Sequence, residues 1–194
     1  LHAFHRSKAA TILLRAIQNH PTISKLRLSY IRSLNEALPT LSNLLCMKNC
    51  KLSELTLTHG YSAVDSSIPI DILGGSLDLE TLIPGLTRNR SLESLELCGM
   101  NLSTSDADLL LSVAWRCPRL TALDLRYNKI QSLELRKLRS QPKMCHLRRL
   151  YLGGNPVLQY RWSPHGKGSR ENFHAKYRWL FEILKACPEL YEFG

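Results

Sequence analysis

No apolar run in this 194-residue chain approaches the roughly 20 residues that cross a bilayer, so no membrane partner is expected. A secretory leader is also missing, and the chain opens on Leu1, which reads as an excised domain or fragment. No G-x-S-x-G, no H-E-x-x-H and no post-strand G-x-G-x-x-G occurs. "HGKGS" at 165–169 lacks the Gly–Lys–Ser/Thr order of a phosphate loop, and no strand with an earlier glycine frames it. These absences predict a non-enzyme: no catalytic residue, no metal, no cofactor and no small-molecule substrate.

Six cysteines are present, yet none forms a C-x-x-C pair. Cys117 and Cys187 stand three residues before Leu120 and Leu190, in "CPRL" and "CPEL". Cys50 and Cys145 stand two residues before Leu52 and Leu147. A recurring place is read as structural, a small apolar side chain closing the end of a linker. Zinc ligation and disulfide pairing are the weaker alternatives, and Cys46 with Cys50 is the pair to check first. Reduced cysteines point to an intracellular protein, cytoplasmic or nuclear. The Asn-x-Ser sequons at Asn89 and Asn101 matter only if the chain is secreted.

Acidic residues are scarce in the second half. Residues 1–112 carry ten Lys/Arg and ten Asp/Glu, whereas residues 113–194 carry sixteen and six and hold the whole net charge of +10. Such asymmetry marks either an anionic partner or a solvated surface.

What is abundant is leucine at fixed spacing. "LTALDLRYNKI" at 120–130 repeats as "LRRLYLGGNPV" at 147–157. Both follow L-x-x-L-x-L-x-x-N-x-aliphatic. Three further windows fit: Leu92 with Leu95, Leu97 and Leu102, where Met100 takes the Asn place; Leu52 with Leu55 and Leu57; and Ile23 with Leu26 and Leu28. Leu190 and Phe193 begin a sixth, cut short by the last residue. The intervals between starts are 29, 40, 28, 27 and 43 residues, a unit of 27–29 with two insertions of about 12 and 15.

This spacing resembles the leucine-rich repeat family, of the ribonuclease-inhibitor-like and cysteine-containing types, along nearly the whole chain. The resemblance implies an α/β leucine-rich repeat solenoid: a curved right-handed stack with short parallel strands on the concave face and helices on the convex face. The physics agrees, since a single strand–turn–helix unit cannot bury its leucines and stacked units can. One domain is expected over 1–194. It has a helical N-terminal cap at about 1–21, repeats starting near 23, 52, 92, 120 and 147, and a C-terminal cap at about 158–194. Asn128 and Asn155 are expected to satisfy backbone groups where the chain leaves the strand.

The linkers read as helices. Ser105 with Asp108 is expected to cap the helix in "DADLLLSVAWR". Pro39 and Pro84 must lie in a first turn or break their helices. The stretch from Asn155-Pro156 through Tyr177-Arg178 to Pro188 and Leu190 is similar to the closing unit of spliceosomal and mRNA-export leucine-rich repeat proteins. That likeness implies an adaptor touching protein, with RNA as the alternative partner.

Outward strand positions form columns. One reads Arg27, Thr56, Glu96, Asp124, Tyr151; Arg126 and Arg149 lie in its neighbours, and Cys98 shares the column of Arg126. Their mixed sign suits a protein partner better than a phosphate track. Six strands about 4.8 Å apart make a strip only some 25 Å wide. A standard interface covers about 800 Å² per partner. The insertions "GYSAVDSSIPIDILGGS" and "QYRWSPHGKGSRENFH" are therefore expected to enlarge the surface. The second joins an upstream basic run in a candidate nucleic-acid patch: Arg136, Lys137, Arg139, Lys143, Arg148, Arg161, Trp162, Lys167 and Arg170.

Overall fold

The computed structural model describes residues 7–18, 20, 22–29, 34–58, 76–133, 146–158 and 170–194. Helix α1 (Ser7–Gln18) precedes strand β1 (Lys25–Ser29), and then the pattern alternates: α2 (Leu34–Cys46), β2 (Glu54–Thr58), α3 (Leu79–Arg88), β3 (Ser94–Cys98), α4 (Thr104–Ala114), β4 (Ala122–Asp124). Strand β5 (Arg149–Tyr151), a 3-10 turn (Pro156–Leu158), α5 (Arg170–Ala186) and β6 (Glu192–Phe193) complete it. The six strands form one parallel sheet in chain order, each hydrogen-bonded to the next. The fold is α/β.

The register follows the leucines. Leu26, Leu55, Leu95, Leu123, Leu150 and Phe193 lie opposite one another across the sheet. Leu28, Leu57 and Leu97 form a second row. Side chains alternate between faces along a strand, so residues two apart share a face. The leucines of both rows are therefore buried, together with those that open the windows, Leu52, Leu92, Leu120 and Leu147. They join one core with the apolar faces of the helices. Helices α1 to α4 pack in sequence order, each against the next. Trp179 of α5 closes the far end, its ring 6.2 Å from that of Phe193.

Two local expectations need correction. Pro39 and Pro84 neither start nor break their helices; each is the sixth residue of a continuous helix. Both are exposed, so a carbonyl deprived of its N–H donor on that side still has access to water. The α4 cap is Ser103 with Asp106, not Ser105 with Asp108. The Asp106 amide donates to Ser103 Oγ (3.3 Å), while Asp106 Oδ2 accepts from the Ser103 amide (2.7 Å). The helix begins one residue before Ser105, which leaves that side chain inside the first turn. Gly85, next to Pro84, lets α3 approach α2 closely: a Cβ there would lie 2.6 Å from the Ser42 carbonyl oxygen. The Gly85 amide instead donates to Ser42 Oγ at 3.1 Å.

Where the chain leaves the sheet, buried amides take over the backbone hydrogen bonding. Asn128 Nδ2 donates to the carbonyls of Leu97 and Leu125, both at 2.8 Å, and its Oδ1 accepts from the Leu102 amide at 3.0 Å. Asn155 repeats this one unit on, donating to Leu125 and Leu152 at 2.8 Å and accepting from Ile130 at 3.2 Å. Removing such an amide orphans buried groups at about 1–3 kcal/mol each. Asn155→Ala is expected to lower stability by about 3 kcal/mol in urea unfolding. A loss below about 0.5 kcal/mol, the range of an ordinary surface change, would show that the amide is replaceable.

Candidate functional site

The outward column assembles as the register dictates: Arg27 opposite Thr56, then Glu96, Asp124 and Tyr151. Lys25, Glu54, Ser94, Ala122 and Arg149 form the row beside it. The side chains then pair among themselves. Thr56 Oγ1 donates to Glu96 Oε2 at 3.1 Å, and Arg27 Nη2 lies 3.9 Å from Glu96 Oε1. Lys25 Nζ meets Glu54 Oε1 at 2.7 Å.

The strongest contact is Arg126 on Asp124. The guanidinium donates through Nε to both carboxylate oxygens at 3.0 Å and through Nη2 to Oδ2 at 2.6 Å; the Arg126 backbone amide adds a fourth bond. The same guanidinium carbon lies 5.2 Å from the centre of the Tyr151 ring, a cation–π distance. Hydrogen bonding to Asp124 strengthens the hold of Arg126 on its proton. Burial, and then the nearby Glu192 carboxylate, raise the Tyr151 hydroxyl.

Two members of this face are not solvated as the sequence suggested. Asp124 is only 8% exposed and Cys98 only 7%. The reason for Asp124 is the bidentate Arg126, which binds its carboxylate from the same strand end. Burial pushes the Cys98 thiol up to about 12, with the Asp124 charge adding to it. Glu96, Cys98 and Asp124 bring one ligand atom each within 4.8 Å of one another. Their chemistry suits a metal poorly: both Asp124 oxygens already hold Arg126, Glu96 holds Thr56, and the thiol keeps its proton at neutral pH.

The candidate nucleic-acid patch falls largely outside the described residues. Arg136, Lys137, Arg139 and Lys143 lie in 134–145; Arg161, Trp162 and Lys167 lie in 159–169. Arg170 opens α5, but its side chain is also outside the described part. Arg148 is described, and its Nε donates to Glu189 at 3.1 Å. Of the two insertions expected to enlarge the surface, 60–75 and 159–169 lie outside the described residues as well.

The cysteine places are resolved further. Cys46, Cys50, Cys98, Cys117 and Cys187 form no disulfide among the described residues, the Cys46–Cys50 pair included. Cys117 Sγ donates to the Leu86 carbonyl at the end of α3, 3.2 Å away. Sequence reading missed the equivalent of this at Asn89, treated there only as a sequon. Asn89 is 3% exposed, and its Nδ2 donates to the Leu45 carbonyl at the end of α2, 3.0 Å away. Its Oδ1 accepts from the amides of Ser91 and Leu92. The signal was available, because Asn89 stands three residues before Leu92, as Cys117 does before Leu120. An amide so engaged is closed to glycosylation in the folded chain.

Burial also pushes the Cys117 thiol up, to about 11. In the native protein at pH 8, iodoacetamide is expected to label the partly exposed Cys46 and Cys50 and to leave Cys98 and Cys117 unmodified, as read by peptide mass spectrometry. Labelling of Cys98 at the rate of Cys50 would contradict the burial of this thiol. Among the described residues no helix is long and apolar enough to cross a membrane. No protein-family model matches the chain, and no curated protein matches it.

Proposed function

We propose that the protein is a leucine-rich repeat solenoid acting as a non-enzymatic scaffold that binds another protein through the outward face of its sheet. It works inside the cell, in cytoplasm or nucleus. The observation that carries the reading is the shared register: inward leucines align from β1 to β5, so outward residues align with them into a continuous row from Arg27 to Tyr151. Parallel strands in chain order, joined where described by helices packed in chain order, are what a one-dimensional stack of similar units requires.

The pairing within the row sets the chemistry of the partner. Asp124 and Arg126 largely neutralise each other, as do Lys25 and Glu54. What remains is a nearly neutral strip with Arg27 at one end and Arg149 beside Tyr151 at the other. Tyr and Arg are favoured anchors in protein interfaces. A partner needs hydrogen-bonding groups and an apolar ridge, with little net charge. Mutually engaged side chains are also poor acid–base catalysts, which supports the non-enzymatic reading.

Photo-crosslinking tests this directly. A benzophenone residue placed at Thr56, Glu96 or Tyr151 is expected to crosslink one protein in extract from the native source, whereas the same group at Asn43 or Glu80, exposed on the helices, is not. Crosslinks from the helix positions alone would overturn the assignment. One alternative is supported by the charge of residues 113–194: an RNA-binding adaptor using Arg136 to Arg170. It requires that nuclease abolish the crosslinked species and that affinity for RNA fall steeply with salt. Insensitivity to both removes it.

A further inference from the structure

A second surface lies on the edge of the sheet from which the strands begin. Three successive links meet there: α2 to β2, α3 to β3, and α4 to β4. They enclose an open cavity of about 540 Å³, within the size range of small-ligand sites. Lys48, Lys51, Arg88, Arg90 and Arg119 line it, with Glu93 as the single carboxylate among the described residues.

The charge does not cancel. On the outward face Lys25 and Arg126 each have a carboxylate within 2.7 Å. None of the five cations of the cavity makes an ion pair among the described residues. Basic residues at helix C-termini have an ordinary explanation, since they offset the negative end of the helix dipole. Here α2 and α3 end at the wall, and two helix ends amount to about one negative charge together. Among the described residues, five cations against Glu93 and those two ends leave a surplus of about three positive charges.

The link that carries Arg90 is also held in place. Asn89 fixes it from below, bonding to the Ser91 and Leu92 amides and, through Nδ2, to Cys50 Sγ at 3.5 Å in the neighbouring link. Ser91 Oγ donates to the Leu52 carbonyl at 2.8 Å, and Arg90 Nη1 to the Arg116 carbonyl at 3.5 Å. Three guanidinium groups and two ammonium groups around one cavity, with the link of Arg90 held in place, suit tetrahedral oxyanions.

The geometry points to a binding site for a soluble diphosphate group, in which Arg88, Arg90 and Arg119 hold two adjacent phosphoryl groups and Lys48 and Lys51 complete the neutralisation. Two linked phosphoryl groups carry about three negative charges near neutral pH, matching the surplus. This site is separate from the outward face of the sheet and stands whether or not that face binds a protein.

Calorimetric titration of the full chain with inorganic pyrophosphate in low-salt buffer tests it. Saturable binding of one equivalent is expected, weakened roughly tenfold or more by Arg90→Gln or by Arg119→Gln. Arg15→Gln, exposed on α1, is expected to leave it unchanged. Pyrophosphate is also expected to slow alkylation of Cys50, a readout that needs no substitution. Absence of saturable binding overturns the proposal, as does binding that survives both pocket substitutions. Binding to vesicles of an anionic phospholipid without binding of free pyrophosphate overturns it too, because the soluble source would then be wrong.

Discussion

A strand of three to five residues cannot bury its own leucines. This is the constraint on which the rest of the structure depends. Each inward leucine must lie beside the leucine of the next unit, and that demand fixes the register of Leu26, Leu55, Leu95, Leu123 and Leu150. A slip of one residue would turn every leucine to the other face. At about 2 kcal/mol for each leucine withdrawn from water, a slipped strand loses more than any outward contact returns. Outward residues therefore occupy positions that the core has chosen for them.

Close packing of successive strands and helices leaves carbonyls at each joint, and the chain answers them in one recurring way. Asn89, Cys117, Asn128 and Asn155 each reach back to a carbonyl of the preceding unit: Leu45, Leu86, Leu97 and Leu125 respectively. Two serve the ends of helices and two serve the ends of strands. All four are buried, so each bond forms where water is excluded and an unpaired carbonyl is costly. Cohesion between units is thus partly apolar along the leucine rows and partly polar at the joints. Cys117 and Asn89 share the donation to a helix-end carbonyl, while the amides of Asn89, Asn128 and Asn155 also accept from backbone N–H groups through Oδ1.

Much of this was legible in the sequence, for physical reasons. The leucine spacing marks the strands, which lie at Leu26, Leu55, Leu95, Leu123 and Leu150. The asparagines at the ninth place signalled a turn, and their amides make the bonds that such a turn leaves open. What was illegible depends on neighbours distant in sequence. Nothing local tells that Arg126 will fold back on Asp124 and bury it, or that Pro39 and Pro84 will fall on the exposed side of unbroken helices. Asn89 was hidden because a glycosylation motif and a core amide look alike until the place is compared between units. The cavity at the strand edge needs three links from Lys48 to Arg119 brought together, which only the parallel alignment of the strands achieves.

The two surfaces differ in how charge is treated. Across the outward face, acid and base are paired side by side. Along the edge where the strands begin, five cations line one cavity with no ion pair among the described residues. Both are consequences of a core that holds successive units in fixed alignment, and that alignment is the central claim. Amide hydrogen exchange in Leu123→Ala tests it most directly. If units are stabilised through their neighbours, protection falls together in β3, β4 and β5, at Leu95 and Leu150 as well as at residue 123. Loss of protection confined to β4, with β3 and β5 unchanged, would contradict the account.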